Sequence, residues 1–416
     1  MTADPYRAAE ASLASAVPFV RPDLPTAADV LARMESILAS RQLTKGRELA
    51  LFEAAVREHV GATHAVAVSS CTTGLMLVLR SIATAHDRSV GPCGSSTCIR
   101  ANGIVRTTAA TNTPEVIVPS FTFLAAPAAI AWAGLRPVFV DVDPDTFTVC
   151  PSAVEAAITN RTAAILGCHT FGCPCDTDRL GEIAIRHGIP LLVDAAHGFG
   201  TSLRGRPVGA EGAAQVFSLS PTKLVVAGEG GVITTSCDCL AALVREGREY
   251  GNNGRYDCLT PGINARMPEF CAALGRLSLE RLDETLAARQ QAAATYRQAL
   301  SGIAGIGFQA IPSHASSSWK DYSITINSDV IGYDRDSVRA SLASRGIDTR
   351  AYYSPPCHRM PAFAGLVPPK TSLNVTDRLS SRILSLPMGG HVTPAVAARV
   401  ALAISEALAV PEPVVA

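Results

Sequence analysis

The chain has 416 residues, which is too long for one ordinary hydrophobic core, so we expect two domains. Hydrophobic residues make up 48% of it and charged residues 17%, which favours a large, well-buried enzyme or an oligomer over a disordered or nucleic-acid-binding protein. Basic and acidic residues number 36 each, so no overall field attracts DNA or an anionic membrane. Residues 1–17 lack the apolar core of a signal peptide, and no run is long enough to cross a bilayer, so a soluble cytoplasmic protein is expected.

Seven short apolar runs predict the strands of a mostly parallel sheet. Most of the runs are continuous rather than alternating, as in strands that are buried on both faces. Helical patterns lie between several of them, at residues 75–82, 151–158 and 177–187, and Asp176 or Thr177 is placed to cap the last one. Strands that alternate with helices indicate an α/β fold with helices on both faces of the sheet. The predicted strands are residues 65–70, 116–120, 137–142, 163–169, 190–196, 213–219 and 230–236.

Polar side chains lie at the carboxyl ends of these strands. Ser70, Ser120, His169, Asp194 and Ser218 all occur at or near a strand end. Ligands of open α/β sheets bind at this edge, so the sequence predicts a binding site there.

The C-terminal part predicts a smaller domain that mixes helices and strands. A long helix is expected over residues 268–301, because apolar residues recur there at helical spacing. Predicted strands follow at 322–326 and 349–353, and predicted helices at 335–345, 376–384 and 394–408. We therefore divide the chain into a large domain, residues 20–262, and a small domain, residues 263–416, whose tail from residue 410 is expected to fray.

Residues 86–114 interrupt the order of strands and helices. They are rich in Ser, Thr, Gly and Cys and have no clear period. A long loop of this kind inside a compact domain is either functional or disordered, and the sequence assigns it no role.

The chain contains twelve cysteines. Cys168, Cys173 and Cys175 lie close to His169, and this group of residue types can bind zinc. Their spacing matches no standard zinc pattern, and cysteines in a reducing compartment behave as small buried hydrophobes. We therefore expect no metal site.

Lys223 stands in an unusually apolar setting. An apolar strand ends at Ser218, the lysine follows in a turn, and its nearest charged neighbour along the chain is Glu229, within a glycine cluster. Burial lowers the pKa of an amine and makes it nucleophilic towards aldehydes. Such a lysine suggests a Schiff base, for which pyridoxal 5'-phosphate is the commonest partner. The alternative is a surface lysine whose stem packs at the end of a strand.

Three further motifs suit the same cofactor. Asp194 ends a buried strand, where its carboxylate must be paired or ligand-bound to stay charged. Its partner could be a protonated pyridine nitrogen. Alternatively, Asp194 could be the N-cap of the turn that follows. Hydroxyl residues around Thr72 precede a predicted helix, whose N-terminus favours a phosphate, although such caps are common. Phe121 and Phe123 follow a strand, where one of them could cover a flat ring or both could simply pack in the core.

In this order the motifs resemble the DegT/DnrJ/EryC1/StrS family of pyridoxal-phosphate-dependent aminotransferases, many of which act on nucleotide-linked keto-sugars. The resemblance extends from about residue 22 to residue 408. It implies the transferase fold type I, with a large domain built on a seven-stranded, mostly parallel sheet and a smaller α+β C-terminal domain. Its most specific parts are Asp194-Ala195-Ala196-His197 and Lys223 with Gly228-Glu229-Gly230-Gly231. It also includes Gly262-Ile263-Asn264-Ala265-Arg266-Met267-Pro268-Glu269.

The resemblance also implies roles for individual residues. Lys223 would form the Schiff base and then move the proton, and Asp194 would pair with the pyridine nitrogen. The remaining cofactor contacts would be His197 near the phenolic oxygen, Phe123 on the ring, and Thr72, Thr73 and Ser218 on the phosphate.

Two further implications concern the assembly and the substrate. Asn264 or Arg266 would reach the phosphate of a neighbouring subunit, so that active sites are shared in a homodimer. His358 would approach the substrate; the alternative is a loop histidine fixed by the adjacent prolines. The partners implied are an amino donor, glutamate or glutamine, and a small-molecule ketone.

The sequence departs from the family pattern at four places. Cys71 replaces a common glycine in the phosphate turn, and Ser40-Arg41-Gln42 replaces a small turn that contains glycine. Residues 86–114 replace a short connection, and Trp319-Lys320-Asp321-Tyr322 replaces a strand rich in His and Tyr. The acceptor therefore stays open among a sugar nucleotide, a keto-cyclitol and another ketone of specialised metabolism.

Other activities remain open on the same fold. A lyase, a dehydratase, an oxidative enzyme and a non-catalytic cofactor-binding regulator are the alternatives. Lys223 argues against the dehydratase branch, which has histidine at that position. The presence of both Lys223 and Asp194 argues against a regulator.

Overall fold

A computed structural model of the chain describes residues 16–84, 113–252, 254–366 and 373–409. The larger part is a layered α/β unit whose strands and helices alternate along the chain. In chain order its elements are α1 (Ala27–Ser40), α2 (Arg47–Val60), β1 (His64–Val68), α3 (Cys71–Thr84), β2 (Glu115–Pro119), α4 (Ala125–Trp132), β3 (Arg136–Val140), α5 (Pro151–Ala157), β4 (Thr162–Cys168), α6 (Thr177–His187), β5 (Leu191–Asp194), β6 (Ala214–Ser218), β7 (Gly231–Thr235), α7 (Asp238–Gly247) and α8 (Glu269–Glu280).

The seven strands form one sheet in the spatial order β1-β7-β6-β5-β4-β2-β3. All neighbouring pairs are parallel except those of β7, which is antiparallel to β1 and to β6. Every residue of β2, β4, β5, β6 and β7 is buried, which explains why the apolar runs are continuous. The prediction of a seven-stranded, mostly parallel sheet is confirmed.

Helices cover both faces of the sheet. Along β1, Val66 and Val68 belong to the buried cluster that contains residues of α3, α4 and α7. The alternate residues Ala65 and Ala67 belong to the cluster on the other face, with residues of α2, α6 and α8. The predicted cap of α6 is confirmed, because the Asp176 side chain accepts a hydrogen bond from the backbone N–H of Arg179.

The smaller part of the described chain has its own core. This part contains a three-stranded antiparallel sheet. The sheet and the helices packed on it form a buried core that includes Tyr296, Ile324, Leu384 and Ile404. Its elements are α9 (Leu282–Leu300), β8 (Ile306–Phe308), β9 (Tyr322–Ile326), α10 (Arg335–Ser344), α11 (Asn374–Arg382), β10 (Ile383–Leu386) and α12 (Pro394–Ala409), and β9 is the central strand.

Three expectations for this part were wrong. The single helix over 268–301 is two helices, α8 and α9, separated at Arg281, which has φ −102° and ψ 8°. Residues 349–353 form no strand, since only Arg350 pairs, in an isolated bridge with Ser385. The helix expected over 376–384 ends at Arg382, because Ile383 begins β10.

Other expectations stay as predictions. The division at residues 262 and 263 is not settled by packing, since Ala272 of α8 shares a buried cluster with Phe52 of α2. Residues 86–112, with Cys93 and Cys98, and the tail from residue 410 lie outside the described residues. Within the described ranges, no helix is both long enough and apolar enough to cross a membrane.

Candidate active site

A cavity of about 370 Å³ opens where β1, β5 and β6 end and the smaller part of the chain covers the sheet. Hydroxyl, ionisable and aromatic side chains share its wall, a mixture typical of a substrate site. The lining residues are Ser70, Cys71, Thr72, Phe123, Ala125, Asp194, Ala196, His197, Ser218, Ser220, Thr222, Lys223, Glu229, Lys320, Asp321, Tyr352 and Tyr353.

Lys223 enters the cavity from the turn after β6. Its backbone N–H bonds the carbonyl of Ser220 at 3.0 Å, and the apolar residues after it are buried and anchor the turn. The chain then returns into β7 at Gly231, where a Cβ would lie 2.6 Å from the backbone of Ser70 and Cys71. Glycine is therefore required for this turn to pass the start of α3.

The surroundings of Lys223 favour its uncharged form. The side chain is partly accessible because it faces the cavity, while protein atoms enclose it on its other sides. Burial, and then the positive charge of Lys320, lower the pKa of Lys223 to about 8, although Asp321 and Asp194 partly oppose the shift. An amine in this state is a better nucleophile at neutral pH than an ordinary lysine.

Asp194 ends β5 and is only 7% exposed. Its Oδ1 accepts a hydrogen bond from the backbone N–H of Ala196 at 3.0 Å, and the Cys71 thiol lies 3.8 Å away. Burial raises the pKa of Asp194, and the hydrogen bond from Ala196 and the charge of Lys223 only partly offset this. A buried carboxyl in this state favours a cationic N–H partner, as a protonated ring nitrogen would be.

The turn between β1 and α3 presents hydroxyl groups to the cavity. Ser70 and Thr72 line it, together with Ser218 at the end of β6. Thr73 does not line it, because its hydroxyl contacts those of Ser69 and Ser70, each at 3.1 Å, and accepts the backbone N–H of Ser70 at 3.0 Å. Thr73 thus shapes the turn, while Thr72, in the first turn of α3, lines the cavity.

Phe123 and His197 complete the wall around Asp194. Phe123 is 51% exposed, with its ring centroid 6.4 Å from that of Tyr353, so its face is available to a flat ligand. The Nδ1 atom of His197 accepts the backbone N–H of Phe171 at 3.2 Å, which places the ring proton on Nε2. Burial, and then the charges of Lys223 and Lys320, lower the pKa of His197 well below its usual value, so the ring is neutral.

Besides Thr73, three of the predicted site residues do not line the cavity. His358 contacts the Ser120 hydroxyl through Nδ1 at 2.6 Å and Asp377 through Nε2 at 3.2 Å. Arg266 donates to Glu249 at 3.0 Å and lies 5.4 Å from the centroid of the Tyr250 ring. Asn264 pairs with Glu249 through its backbone. Their predicted roles stay predictions.

The cysteines near His169 are packed side chains. His169 is 2% exposed, and its Nδ1 accepts the backbone N–H of Cys175 at 3.1 Å. Burial lowers the pKa of His169 to about 4 and raises the pKa of the Cys175 thiol. Within the described ranges, no three His, Cys, Asp or Glu side chains are grouped as metal ligands.

Several lining residues were not named as site residues from the sequence. Lys320 and Asp321 precede β9, and Tyr352 and Tyr353 lie in the loop before α11. They come from the smaller part of the chain, far along the sequence from Lys223. The departure from the family pattern at residues 319–322 was the sequence feature that could have identified Lys320 and Asp321 as site residues.

The fold and the cavity define an α/β enzyme that places a nucleophilic amine and a buried carboxyl beside a helix N-terminus. The model of the DegT/DnrJ/EryC1/StrS aminotransferase family matches residues 26–92 and 94–405. The chain belongs to this family and is an aminotransferase, as the resemblance implied. Members of the family use pyridoxal 5'-phosphate.

Individual relatives agree with this assignment. The chain is 35% identical to the dTDP-3-amino-3,4,6-trideoxy-alpha-D-glucose transaminase of Streptomyces venezuelae, covering 91% of this chain and 92% of the relative. It is 38% identical to the erythromycin biosynthesis sensory transduction protein EryC1 of Saccharopolyspora erythraea, covering 67% and 75%. The crystal structure of DesI in the presence of its TDP-sugar product superposes with a TM-score of 0.83 at 35% identity, covering 95% of this chain and 93% of that one.

Proposed function

We propose that this aminotransferase uses pyridoxal 5'-phosphate to move an amino group from glutamate or glutamine to a nucleotide-linked keto-sugar or a keto-cyclitol. The observation that carries the proposal is that Lys223 and Asp194 line one cavity, beside the hydroxyl groups that precede α3. Relatives named for amino sugars linked to dTDP or TDP support the sugar-nucleotide class of acceptor.

The residues of the cavity fit the proposed cofactor. Asp194 would hold the ring nitrogen, because its buried carboxyl favours an N–H⁺ partner. Thr72 and Ser218 would hold the phosphate beside the N-terminus of α3. Phe123 would cover one face of the ring, and His197 would donate its Nε2 proton towards the phenolic oxygen. When bound, the cofactor supplies an electron sink and carries the amino group between the two substrates.

Lys223 would act both as nucleophile and as proton carrier. With a pKa of about 8, roughly a tenth of its amine is uncharged at pH 7, against less than about one in a thousand for an ordinary lysine. With the cofactor bound, the uncharged amine of Lys223 would take up and return the proton that the transfer moves, in the same cavity that Asp194 and His197 line.

The proposal extends to a homodimer in the cytoplasm. Asn264 and Arg266 would complete the phosphate site of a neighbouring subunit, and the half-exposed Tyr250 ring against which Arg266 lies suits contact with that subunit.

A reaction with the amino donor tests the proposal. Holoenzyme mixed with glutamate or glutamine should lose its visible absorbance band and accumulate the pyridoxamine form of the cofactor. An unchanged spectrum with both donors would favour the lyase and regulator alternatives, and the name of one relative as a sensory transduction protein makes the second worth testing. Lys223→Ala is the matched control, because it should bind cofactor without undergoing the change.

A further inference from the structure

Lys320 and Asp321 form a buried ion pair in the cavity wall. The Lys320 Nζ atom lies 2.8 Å from Asp321 Oδ1, and the two side chains are only 5% and 2% exposed. Both residues line the cavity that contains Lys223, but the cofactor roles proposed above use neither of them. A buried ion pair generally contributes little net stability, so its place in a substrate cavity calls for a functional reason.

The backbone that carries the pair is firmly held. Arg289 of α9, which is 1% exposed, donates to the carbonyls of Trp319 and Lys320, each at 3.2 Å. The same guanidinium group lies 3.5 Å from the Asp23 carboxylate. Asp321 leads directly into β9, the central strand of the smaller sheet. The pair is therefore positioned before any ligand arrives, as a recognition site requires.

One carboxylate oxygen of the pair has no partner. Asp321 Oδ2 is buried and makes no hydrogen bond within the described part of the chain. Leaving a buried acceptor unpaired costs about 1–3 kcal/mol, and more for a charged group. The Lys320 ammonium has three N–H donors, and Asp321 Oδ1 takes one of them. The pair can thus accept one hydrogen bond from a ligand and donate another.

The charges of the pair restrict the ligand. The pair is neutral overall, so it does not select an anion, and the free oxygen of Asp321 repels a phosphate or the carboxylate of an amino donor. A pair of neighbouring hydroxyl groups matches it, since one can donate to Asp321 while the oxygen of the other accepts from Lys320. The Tyr352 ring, whose centroid is 6.0 Å from Lys320 Nζ, offers an apolar face for the C–H groups of the same ring.

We propose that Lys320 and Asp321 form the subsite that recognises neighbouring hydroxyl groups on the acceptor ring, and so determine which ketones are aminated. This inference rests on the proposed function, because it assigns the substrate class of the same cavity. Asp321 is a specificity-determining residue that binds the acceptor, and the amino donor does not use it.

Two variants and two half-reactions test the subsite. Wild-type enzyme in its pyridoxamine form is first screened against 3-keto and 4-keto hexoses linked to dTDP and against cyclitol ketones. The fastest acceptor and its analogue lacking the hydroxyl next to the ketone become the probes. Asp321→Asn keeps the shape of the side chain but replaces the free acceptor oxygen with a donor. Ser323→Ala, two residues further along and bonded to Ser385 outside the cavity, is the matched control.

The expected result is selective. Asp321→Asn should lower kcat/KM for the hydroxylated acceptor by about 10- to 100-fold, because the acceptor loses one charge-assisted hydrogen bond. Because Asp321 also raises the pKa of Lys223, the substitution can change kcat/KM for the deoxy analogue and the rate of reaction with glutamate as well. The subsite therefore predicts that the loss for the hydroxylated acceptor is about tenfold larger than either of those changes. Ser323→Ala should match wild type, and melting curves must show that all variants are folded.

Two results would overturn the subsite. One is an Asp321→Asn enzyme that discriminates between the two acceptors as strongly as wild type. The other is an equal loss in the donor half-reaction, which would mean that the pair serves the donor or the cavity as a whole. If wild-type enzyme reacts with neither donor nor any ketone, the proposed function fails, and that outcome is distinct because it appears before any variant is made.

Discussion

Lys223 owes its low pKa to burial first and to one neighbouring cation second. That cation is Lys320, whose charge is partly neutralised by Asp321, so this ion pair on the cavity wall also influences the pKa of Lys223. At the residue scale, the chemistry of the site therefore depends on side chains from both parts of the chain.

The pH dependence of cofactor capture tests this coupling. Capture of added pyridoxal 5'-phosphate by apoenzyme should become faster as pH rises through about 8, because the neutral amine is the nucleophile. Lys320→Met removes a positive charge and leaves Asp321 unpaired, and both changes raise the pKa of Lys223. The midpoint, followed by absorbance, should therefore move to higher pH. Lys45→Met, at an exposed ion pair with Glu249, is the control, and a midpoint that stays in place or falls would contradict the coupling.

Sequence reasoning found the residues at strand ends more readily than those brought in by packing. Asp194, Ser218 and Lys223 follow buried strands, so topology alone puts them at one edge of the sheet. Lys320 and Tyr352 reach the cavity only because the smaller part of the chain packs over that edge. No local pattern encodes such a contact, and His358, predicted near the substrate, instead contacts Ser120 and Asp377.

At the scale of elements, a carboxylate from α8 caps the start of α2. Glu269, which is 2% exposed, accepts hydrogen bonds from the backbone N–H groups of Gly46 at 2.9 Å, Glu48 at 2.8 Å and Leu49 at 3.2 Å. A Cβ on Gly46 would lie 2.7 Å from the same carboxylate. Glu269 thus joins two helices, since it satisfies backbone N–H donors that α2 cannot satisfy itself.

Loss of this cap should destabilise the protein. Glu269→Ala should lower the free energy of unfolding by about 2–3 kcal/mol, because two buried N–H groups and one half-buried N–H group lose a charged partner. Glu280→Ala, which removes an exposed ion pair with Arg276 on the same helix, should cost less than about 1 kcal/mol. Urea unfolding followed by circular dichroism gives both values, and equal effects of the two substitutions would refute the capping role.

Elements were predictable where one local signal dominates. Most strands of the large sheet are continuous apolar runs, and burial on both faces explains that pattern. The break at Arg281 has no proline or glycine to mark it, so the helical pattern runs through it. Strand β10 follows α11 without a loop, so the helical period of α11 continues into residues 383–384 and hides the start of the strand.

At the scale of the whole molecule, the chain leaves an aromatic side chain half uncovered beside a predicted phosphate ligand. Tyr250 is 53% exposed, and Arg266 lies against its ring. An exposed ring beside Arg266 suits contact with a second copy of the chain, which supports the proposal of shared active sites.

Mixed dimers test whether the sites are shared. Lys223→Ala and Asn264→Ala homodimers should each be inactive or nearly so. If each site takes Lys223 from one subunit and Asn264 from the other, random co-assembly should restore about a quarter of wild-type activity, because half of the dimers are mixed and each has one intact site. Activity that stays at the level of the separate variants would contradict shared sites, as would full activity of the Asn264→Ala homodimer.

The central claim is that the amine of Lys223 condenses with the cofactor aldehyde. The chain has four lysines, and of these Lys320 also lines the cavity, so the position of the bond is a sharp question. Protein incubated with pyridoxal 5'-phosphate should be reduced with borohydride, digested and mapped by mass spectrometry. The account predicts one pyridoxyl group per chain, on Lys223. A label on Lys320, labels spread over Lys45 and Lys370, or no label at all would contradict it.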